Sequence, residues 1–275
     1  MNNLQEKIEY LFDNPSSKDF TEELGYEFLD GLNNGTIRAA ENIDGDWKVN
    51  TWVKKGILVI FRNSYNFDMS INENFRFYDK HFLKLKDVNL GDSVRIVPGG
   101  SSIRNGSFVG KNVVCMPPMY INIGAYVDDN TMVDSHALVG TCAQIGKNVH
   151  ISAAAQIGGV LEPAGARPVI IEDNVMIGGN CGVYEGVMLR KRVVLGSGVI
   201  LTGSTKVFDL VNNSIITSSD DKPLEIPENA VVIAGSRSVN TEFGKENGLS
   251  IYTPIIIKYR DDKTDAKTAL NFDLR

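Results

Sequence analysis

From Val97 to Val207 an apolar side chain returns at every sixth residue. The series is Val97, Ile103, Val109, Cys115, Ile121, Val127, Val133, Val139, Ile145, Ile151 and Ile157, then Ile171, Ile177, Val183, Leu189, Leu195, Leu201 and Val207. One 14-residue step, from Ile157 to Ile171, inserts eight residues between eleven repeats and seven. A helix face repeats every 3.6 residues and a half-buried strand every two, so neither explains a period of six. Held over this length, the period predicts a parallel β-solenoid whose coils stack only on their neighbours. An ordinary antiparallel barrel would show such a phase only by accident. The fifth position is small or apolar as well (Ser107, Val113, Ala125, Thr131, Ala137, Ala143), so a large and a small side chain share one narrow interior. Glycine often follows the first position, at Gly110, Gly140, Gly146, Gly158, Gly178 and Gly196, which suggests corners with unusual backbone angles.

The flanks follow other patterns. Leu4, Ile8, Leu11 and Phe12 have helical spacing, and a second helix is expected from a cap at Ser16 or Ser17 to about Gly31. Residues 35–47 read as a short helix or strand with a turn at Asp44-Gly45. The run from Trp52 to Arg62 is so apolar that helix and strand both fit, and 63–79 reads as loop. The resulting division is a mostly helical N-terminal α/β cap domain over 1–93, packed on one end of the solenoid. The β-helix follows over 94–236 with an external loop at 158–168, and a C-terminal β/helix extension covers 237–275. The loop carries Gly158-Gly159, Pro163 and Pro168, and a loop leaving a regular coil is expected to touch a ligand or a neighbouring subunit. After Asp209 the phase weakens, and Ile226 and Val232 recover one six-residue step. The tail offers a strand at Ile251 to Tyr259, a polar turn and a helix-like end that fold over the open coil.

Composition narrows the function. The 275 residues carry a net charge of −6, which argues against nucleic acid as the main partner. Neither an 18-residue apolar run nor a basic-plus-apolar leader is present, so a cytoplasmic protein without a membrane partner is expected. Three cysteines fit a reducing compartment. Cys115 and Cys181 fall on inward positions and act as packing residues. Cys142 lies off them and lacks a base partner, so it is a poor nucleophile.

The repeat resembles that of the hexapeptide-repeat acyltransferases. That resemblance implies a mainly β fold, a left-handed β-helix of three repeats per coil, a homotrimer, and acyl-CoA sites between neighbouring subunits. A more specific resemblance is to the tetrahydrodipicolinate N-succinyltransferases. It rests on Ile43-Asp-Gly-Asp-Trp47, Trp52-Val-Lys-Lys55, Val94-Arg-Ile-Val-Pro98 and Tyr120-Ile-Asn-Ile-Gly-Ala-Tyr-Val-Asp128. Further strings are Thr131-Met-Val-Asp134, Cys142-Ala-Gln-Ile-Gly-Lys-Asn-Val-His150, Ile157-Gly-Gly-Val-Leu-Glu-Pro163 and Glu185-Gly186. It implies transfer of a succinyl group from succinyl-CoA, as co-substrate, to a cyclic dicarboxylate acceptor on the way to diaminopimelate and lysine. No permanently bound cofactor and no metal are implied. The chain departs from that family's pattern at Ser135-His136, in Met116-Pro-Pro-Met119 and in Gly99-Gly-Ser-Ser102, all near the expected acceptor site.

Such a reaction needs a base for the attacking nitrogen and donors for the thioester oxyanion. Asp134 and Glu185 are the candidate catalytic carboxylates. They are 51 residues apart, which is two coils, one face and one residue once the insertion is left out. They therefore lie on different faces of one chain and meet only across a subunit interface. Arg95 matches the family's substrate-binding arginine, with Asp134 beside it as a second acceptor contact, since arginine suits planar carboxylates. Arg104, Arg167 and Arg190 remain unassigned. Backbone amides at Gly178, Gly179, Gly203 and Ser204 are candidates for the pantetheine arm, and Lys206, with Arg237 or Lys258, for the phosphates. His136 and His150, the latter at a repeat corner, are rival bases. The alternatives are an N-acetyltransferase using acetyl-CoA, a scaffold, and a zinc anhydrase. The anhydrase needs three histidines in coil register, and the 14-residue spacing of His136 and His150 misses it.

Overall fold

The computed structural model describes residues 2–163, 165–219 and 222–268. The six-residue period folds into two-residue strands, each with an outward side chain followed by an inward one. They form three parallel faces. The first carries Arg95–Ile96, Val114–Cys115, Met132–Val133, His150–Ile151, Met176–Ile177 and Val194–Leu195. The second carries Ser102–Ile103, Tyr120–Ile121, Leu138–Val139, Gln156–Ile157, Gly182–Val183 and Ile200–Leu201. The third carries Phe108–Val109, Tyr126–Val127, Gln144–Ile145, Ile170–Ile171, Met188–Leu189 and Glu225–Ile226. Tyr126 pairs with Gln144, and Gln144 with Ile170, so the insertion leaves the register of the coil intact. This is the left-handed parallel β-helix that the resemblance implies. Its interior is the expected file of first and fifth positions, from Ile103 through Ala125, Val139 and Ala155 to Val199 and Leu201, all buried.

Three details differ from the expectation. The first strand pairs Ile96, not Val97, with Cys115, because the Gly99-Gly100 corner holds one residue more than a regular corner. The phase also stops earlier at the other end. After Leu201 the chain leaves the coil, and Ile226 rather than Val207 stacks on Leu189. Val207 is buried even so, in a strand (Val207–Asp209) that pairs with the C-terminal extension. The glycines after the first position have ordinary backbone angles. Left-handed angles fall two residues later, at Asn112, Asn130, His136, Cys142, Asn148, Ala154, Asn174, Asn180 and Arg192. Glycine is needed after the first position because the next coil is too close. A Cβ on Gly140 would lie 2.1 Å from the Gly159 nitrogen, and one on Gly178 2.6 Å from the Ser197 nitrogen.

The N-terminal region forms α1 (Asn2–Asp13), α2 (Glu22–Asn33), the hairpin β1–β2 (Ala40–Ile43, Asp46–Val49), α3 (Thr51–Arg62) and the hairpin β3–β4 (Asn66–Asp68, Tyr78–Lys80). The second helix starts later than expected, because Thr21, not Ser16 or Ser17, caps it by accepting from the Leu24 amide at 3.3 Å. Asp44 and Gly45 both take left-handed angles and form the expected turn between β1 and β2. The ambiguous run at 52–62 is helical, and it is apolar because it is buried nearly all round. A Cβ on Gly56 would lie 2.5 Å from the Phe28 ring, so the α2–α3 contact requires glycine there. Residues 63–79, expected as loop, contain the short hairpin β3–β4.

The contacts of this domain run along the side of the solenoid as well as over its first coil, where the Lys86 amide donates to the Ile103 carbonyl at 2.8 Å. The Arg38 guanidinium lies 3.5 Å over the Tyr126 ring and donates from Nε to Gln144 at 3.1 Å. Trp47 Nε1 donates to Glu172 at 2.8 Å, and Ala40 packs with Ile170 and Met188. The outward column of the third face is thus roofed. At the far end, Ala230–Ser238 continues the first face and pairs with the antiparallel strand Ser250–Tyr259, whose buried Ile256 helps to cover the last coil. A short helix, Asp262–Thr268, follows. No helix among the described residues is long and apolar enough to cross a membrane.

Candidate active site

Both candidate carboxylates stand at corners that border the second face. Asp134 closes a first-face strand and enters the corner before Leu138–Val139. Its Oδ1 accepts the Ser135 amide at 2.7 Å, and its own amide continues the ladder to the Ile151 carbonyl at 2.9 Å. Glu185 leaves the second face two coils further on, at the opposite corner. It is exposed, and Oε2 accepts the Gly203 amide at 3.0 Å. A coil rises about 4.8 Å, so the two carboxylates are separated by about 10 Å along the axis as well as by the width of the face. Glu185 also holds a left-handed angle directly before Gly186, which is left-handed too. Two successive residues in that region break the one-per-corner rhythm of the solenoid. A non-glycine residue held there is costly unless its surroundings enforce it.

The surroundings of Glu185 are built by the loop 158–168. A cleft of about 520 Å³ opens between the loop and the corner, lined by Gly158, Gly159, Glu162, Arg167, Tyr184, Glu185 and Thr202 among others. A second cleft of about 280 Å³ lies on the other side, lined by Gly203, Ser218 and Lys222. Arg167 and Glu185 line both, so they form the partition between them. Burial pulls the Arg167 guanidinium below its usual range, Glu225 opposes that, and the guanidinium donates to the Trp47 carbonyl at 3.3 Å. The Tyr184 ring covers Gly182 on the second face. A Cβ on Gly182 would lie 2.4 Å from that ring and one on Gly158 2.7 Å from it.

The other candidates fall into groups. Gly178 and Gly179 share the Asp134 corner, two coils along. The Gly178 amide is committed to the Leu195 carbonyl at 2.8 Å. Gly203 and Ser204 share the Glu185 corner, where the Gly203 amide serves Glu185. Ser204 and Lys206 are exposed, and the Lys206 carbonyl accepts from Thr253 at 3.0 Å. Arg95 is exposed on the first coil, on the first face. Two of the unassigned arginines are held by carboxylates: Arg104 by Asp79, and Arg190 by Glu172 at 3.1 Å and Glu225 at 2.9 Å. His136 is an exposed corner residue, whereas His150 sits within a strand of the first face rather than at a corner.

The thiols are inert by environment. Cys115 and Cys181 are buried in the solenoid core, and burial pushes Cys115 up to about 12. Cys142 has a cationic neighbour that its sequence did not reveal, Lys54, but complete burial outweighs it and the thiol stands at about 12. Lys54 is the residue that sequence reasoning passed over. It is fully buried, and its ammonium donates to the Ala166 carbonyl in the loop. The available signal was a pair of lysines, Lys54 and Lys55, set in a strongly apolar run.

Known proteins resemble this chain along most of its length. The tetrahydrodipicolinate N-succinyltransferase N-terminal model matches residues 3–62, and the hexapeptide repeat of succinyl-transferase matches 168–203. A 2,3,4,5-tetrahydropyridine-2,6-dicarboxylate N-succinyltransferase from Polynucleobacter asymbioticus is 46% identical over 252 residues, covering 90% of this chain and 87% of that one. The enzyme of that name from Acinetobacter baylyi is 44% identical over 90% of this chain and 88% of its own. The one from Sodalis glossinidius is 38% identical over 100% and 99%. This chain belongs to the tetrahydrodipicolinate N-succinyltransferase family.

Proposed function

We propose that succinyl transfer takes place on the second face of the solenoid, between Asp134 of one copy and Glu185 of the next in a homotrimer. The reaction is that of the family: succinyl transfer to tetrahydrodipicolinate in the biosynthesis of diaminopimelate and lysine. Succinyl-CoA is the donor, and the enzyme works in the cytoplasm. The acceptor is a cyclic imine. Water adds to its C=N bond and the ring opens, leaving an amine and a ketone. The amine nitrogen then attacks the thioester carbonyl, a carboxylate takes the proton from nitrogen, and CoA leaves as its thiol. The products are N-succinyl-2-amino-6-oxopimelate and CoA.

One observation carries this reading: Asp134 and Glu185 stand at the two corners that border the second face, where among the outward side chains only Gly182 is buried. A second copy lying along that face brings its Glu185 corner to the Asp134 corner of the first. Arg95 is the contact for an acceptor carboxylate. Gly178, Gly179, Gly203, Ser204 and Lys206 line the path of the CoA arm, which requires Glu185 to release the Gly203 amide when CoA enters. Within this reading 1–93 is the domain that roofs the third face, 94–236 carries the chemistry and 237–275 closes the last coil.

The test is complementation between single mutants. Asp134→Asn and Glu185→Gln are each expected to be inactive. Mixed through unfolding and refolding at equal amounts, they should regain about a quarter of wild-type activity, since that share of a symmetric trimer's interfaces joins two intact carboxylates. Hybrids that stay inactive while both mutants fold and assemble would sink the shared site. Assaying succinyl-CoA and acetyl-CoA side by side decides the acyl group.

A further inference from the structure

The string Trp52-Val-Lys-Lys55 has no part in the chemistry above, and its two lysines have different fates. Lys55 is partly exposed, lies 5.1 Å over the Phe12 ring and pairs with Asp13 at 3.7 Å. Lys54 is wholly buried among the apolar residues of α3, and among the described residues no carboxylate reaches it. Its partner is one carbonyl, that of Ala166 in the loop 158–168. An ammonium in such a place is disfavoured by desolvation, which lowers the Lys54 pKa against the opposing effect of Cys142. Methionine would fill the same volume without that cost. What lysine adds is a bond to the loop.

The bond leads directly to the active corner. Arg167 follows Ala166, and its backbone rests on Gly186, where a Cβ would lie 2.9 Å from the Arg167 carbonyl oxygen. Gly186 in turn follows Glu185. Two further ties hold the loop: the Val160 amide donates to the Thr141 carbonyl at 3.2 Å, and Arg167 donates to the Trp47 carbonyl. Leu161 packs against the N-terminal core.

We propose that Lys54 is a positioning residue for the Glu185 site: it latches the loop 158–168 to α3, and through Ala166, Arg167 and Gly186 it holds the partition between the two clefts in place. The N-terminal domain thereby sets the geometry of a site to which it contributes no reacting group. This rests on the reading that the Glu185 corner is where substrate binds.

The test uses the full-length chain carrying Lys54→Met or Lys54→Gln, with Glu185→Gln as a reference. Steady-state kinetics with succinyl-CoA and the acceptor are combined with hydrogen exchange of the loop amides. In Lys54→Met, KM for at least one substrate should rise about tenfold with kcat within about twofold, since positioning is lost and the chemical groups remain. The Val160 and Ala166 amides should exchange about tenfold faster while the solenoid ladder is unchanged, as expected for local opening. Lys54→Gln keeps a donor and should fall between Met and wild type. It carries the comparison alone where Lys54→Met does not fold. Wild-type KM and wild-type loop exchange in the variants would overturn the latch, as would a loss of kcat with both unchanged. A looser loop with unchanged KM would overturn its link to the site. Failure of the underlying reading shows differently, as full activity in Glu185→Gln.

Discussion

The second and third faces of the solenoid come from the same repeat and meet different ends. On the third face every outward side chain from Phe108 to Met188 is met by the N-terminal domain. Gly35 fits against Phe108 and Tyr126, Arg38 stacks on Tyr126 and bonds Gln144, and Ala40 packs on Ile170 and Met188. On the second face the matching column is Ser102, Tyr120, Leu138, Gln156, Gly182 and Ile200. Only Gly182 in it is buried, under the ring of its own neighbour Tyr184. A six-residue period makes three equivalent faces and cannot say which will work. The appended domain breaks the symmetry, and the candidate chemistry lies at the two edges of the face left open.

The largest expected effect tests the open face. Glu185→Gln keeps an acceptor for the Gly203 amide, so the corner should fold as before. Removing a general base or acid typically costs 10²–10⁴-fold, and kcat is expected to fall within about that range with the melting temperature nearly unchanged. Loss of the fold along with activity would make Glu185 a structural carboxylate. The next effect tests the roofed face. Gln144 is fully buried, accepts from Arg38 Nε and donates to the Cys142 carbonyl at 3.0 Å. Gln144→Leu strands both partners and should lower stability by about 1–3 kcal/mol in urea unfolding, with kcat of the folded enzyme unchanged. A kcat loss there would mean that the roofed face takes part in catalysis.

A third measurement asks whether the roof stays docked. Cys142 lies under α3 beside Lys54, and its pKa of about 12 far exceeds the ordinary thiol value. Because the folded pKa is raised, this thiol's contribution to stability is complete below the unfolded pKa, near 9, and is lost as pH rises from there through about 12. Cys115 behaves alike inside the coil. Stability should therefore fall above pH 9, by at most about 1.4 kcal/mol per pH unit for each thiol. Cys142→Ala should flatten that slope. At pH 8 a thiol reagent should leave Cys142 unmodified in the folded protein, and rapid labelling would show the domain lifting from the third face.

Much of this was legible in the chain because it is local. The inward positions, the insertion and the Asp44-Gly45 turn are each written in a few adjacent residues. The placement of the N-terminal domain is not, since it rests on pairs such as Arg38–Gln144 and Trp47–Glu172, which are 106 and 125 residues apart. The run at 52–62 lost its helical signal because its surroundings bury it on several sides. The glycines after position one were visible, but their reason lies in the next coil. Counting repeats put Asp134 and Glu185 on different faces, whereas the fold places them at different corners that border one face. Lys54 was missed because a lysine in sequence reads as solvent-exposed, and only the loop folding back from residue 166 gives it a partner.

The smallest expected effect sharpens the comparison most directly, because it repeats one substitution on the other face. Gln156 has the same place in its repeat as Gln144, an outward glutamine before an inward isoleucine, but it lies on the second face and is half-buried. Its amide donates to the His136 and Ala154 carbonyls at 3.1 and 3.2 Å, at the edge of water. In Gln156→Leu, water replaces the lost donor, so the free energy of unfolding of a dissociated single chain should change by no more than about 0.5 kcal/mol. The difference from Gln144→Leu is then due to the roof alone. In the assembled protein the result should depend on protein concentration if a second copy covers this face, since association stabilises only the folded chain. A cost equal to that of Gln144→Leu at every concentration would mean that the second face is closed within one chain, and that the open-face account of the active site is wrong.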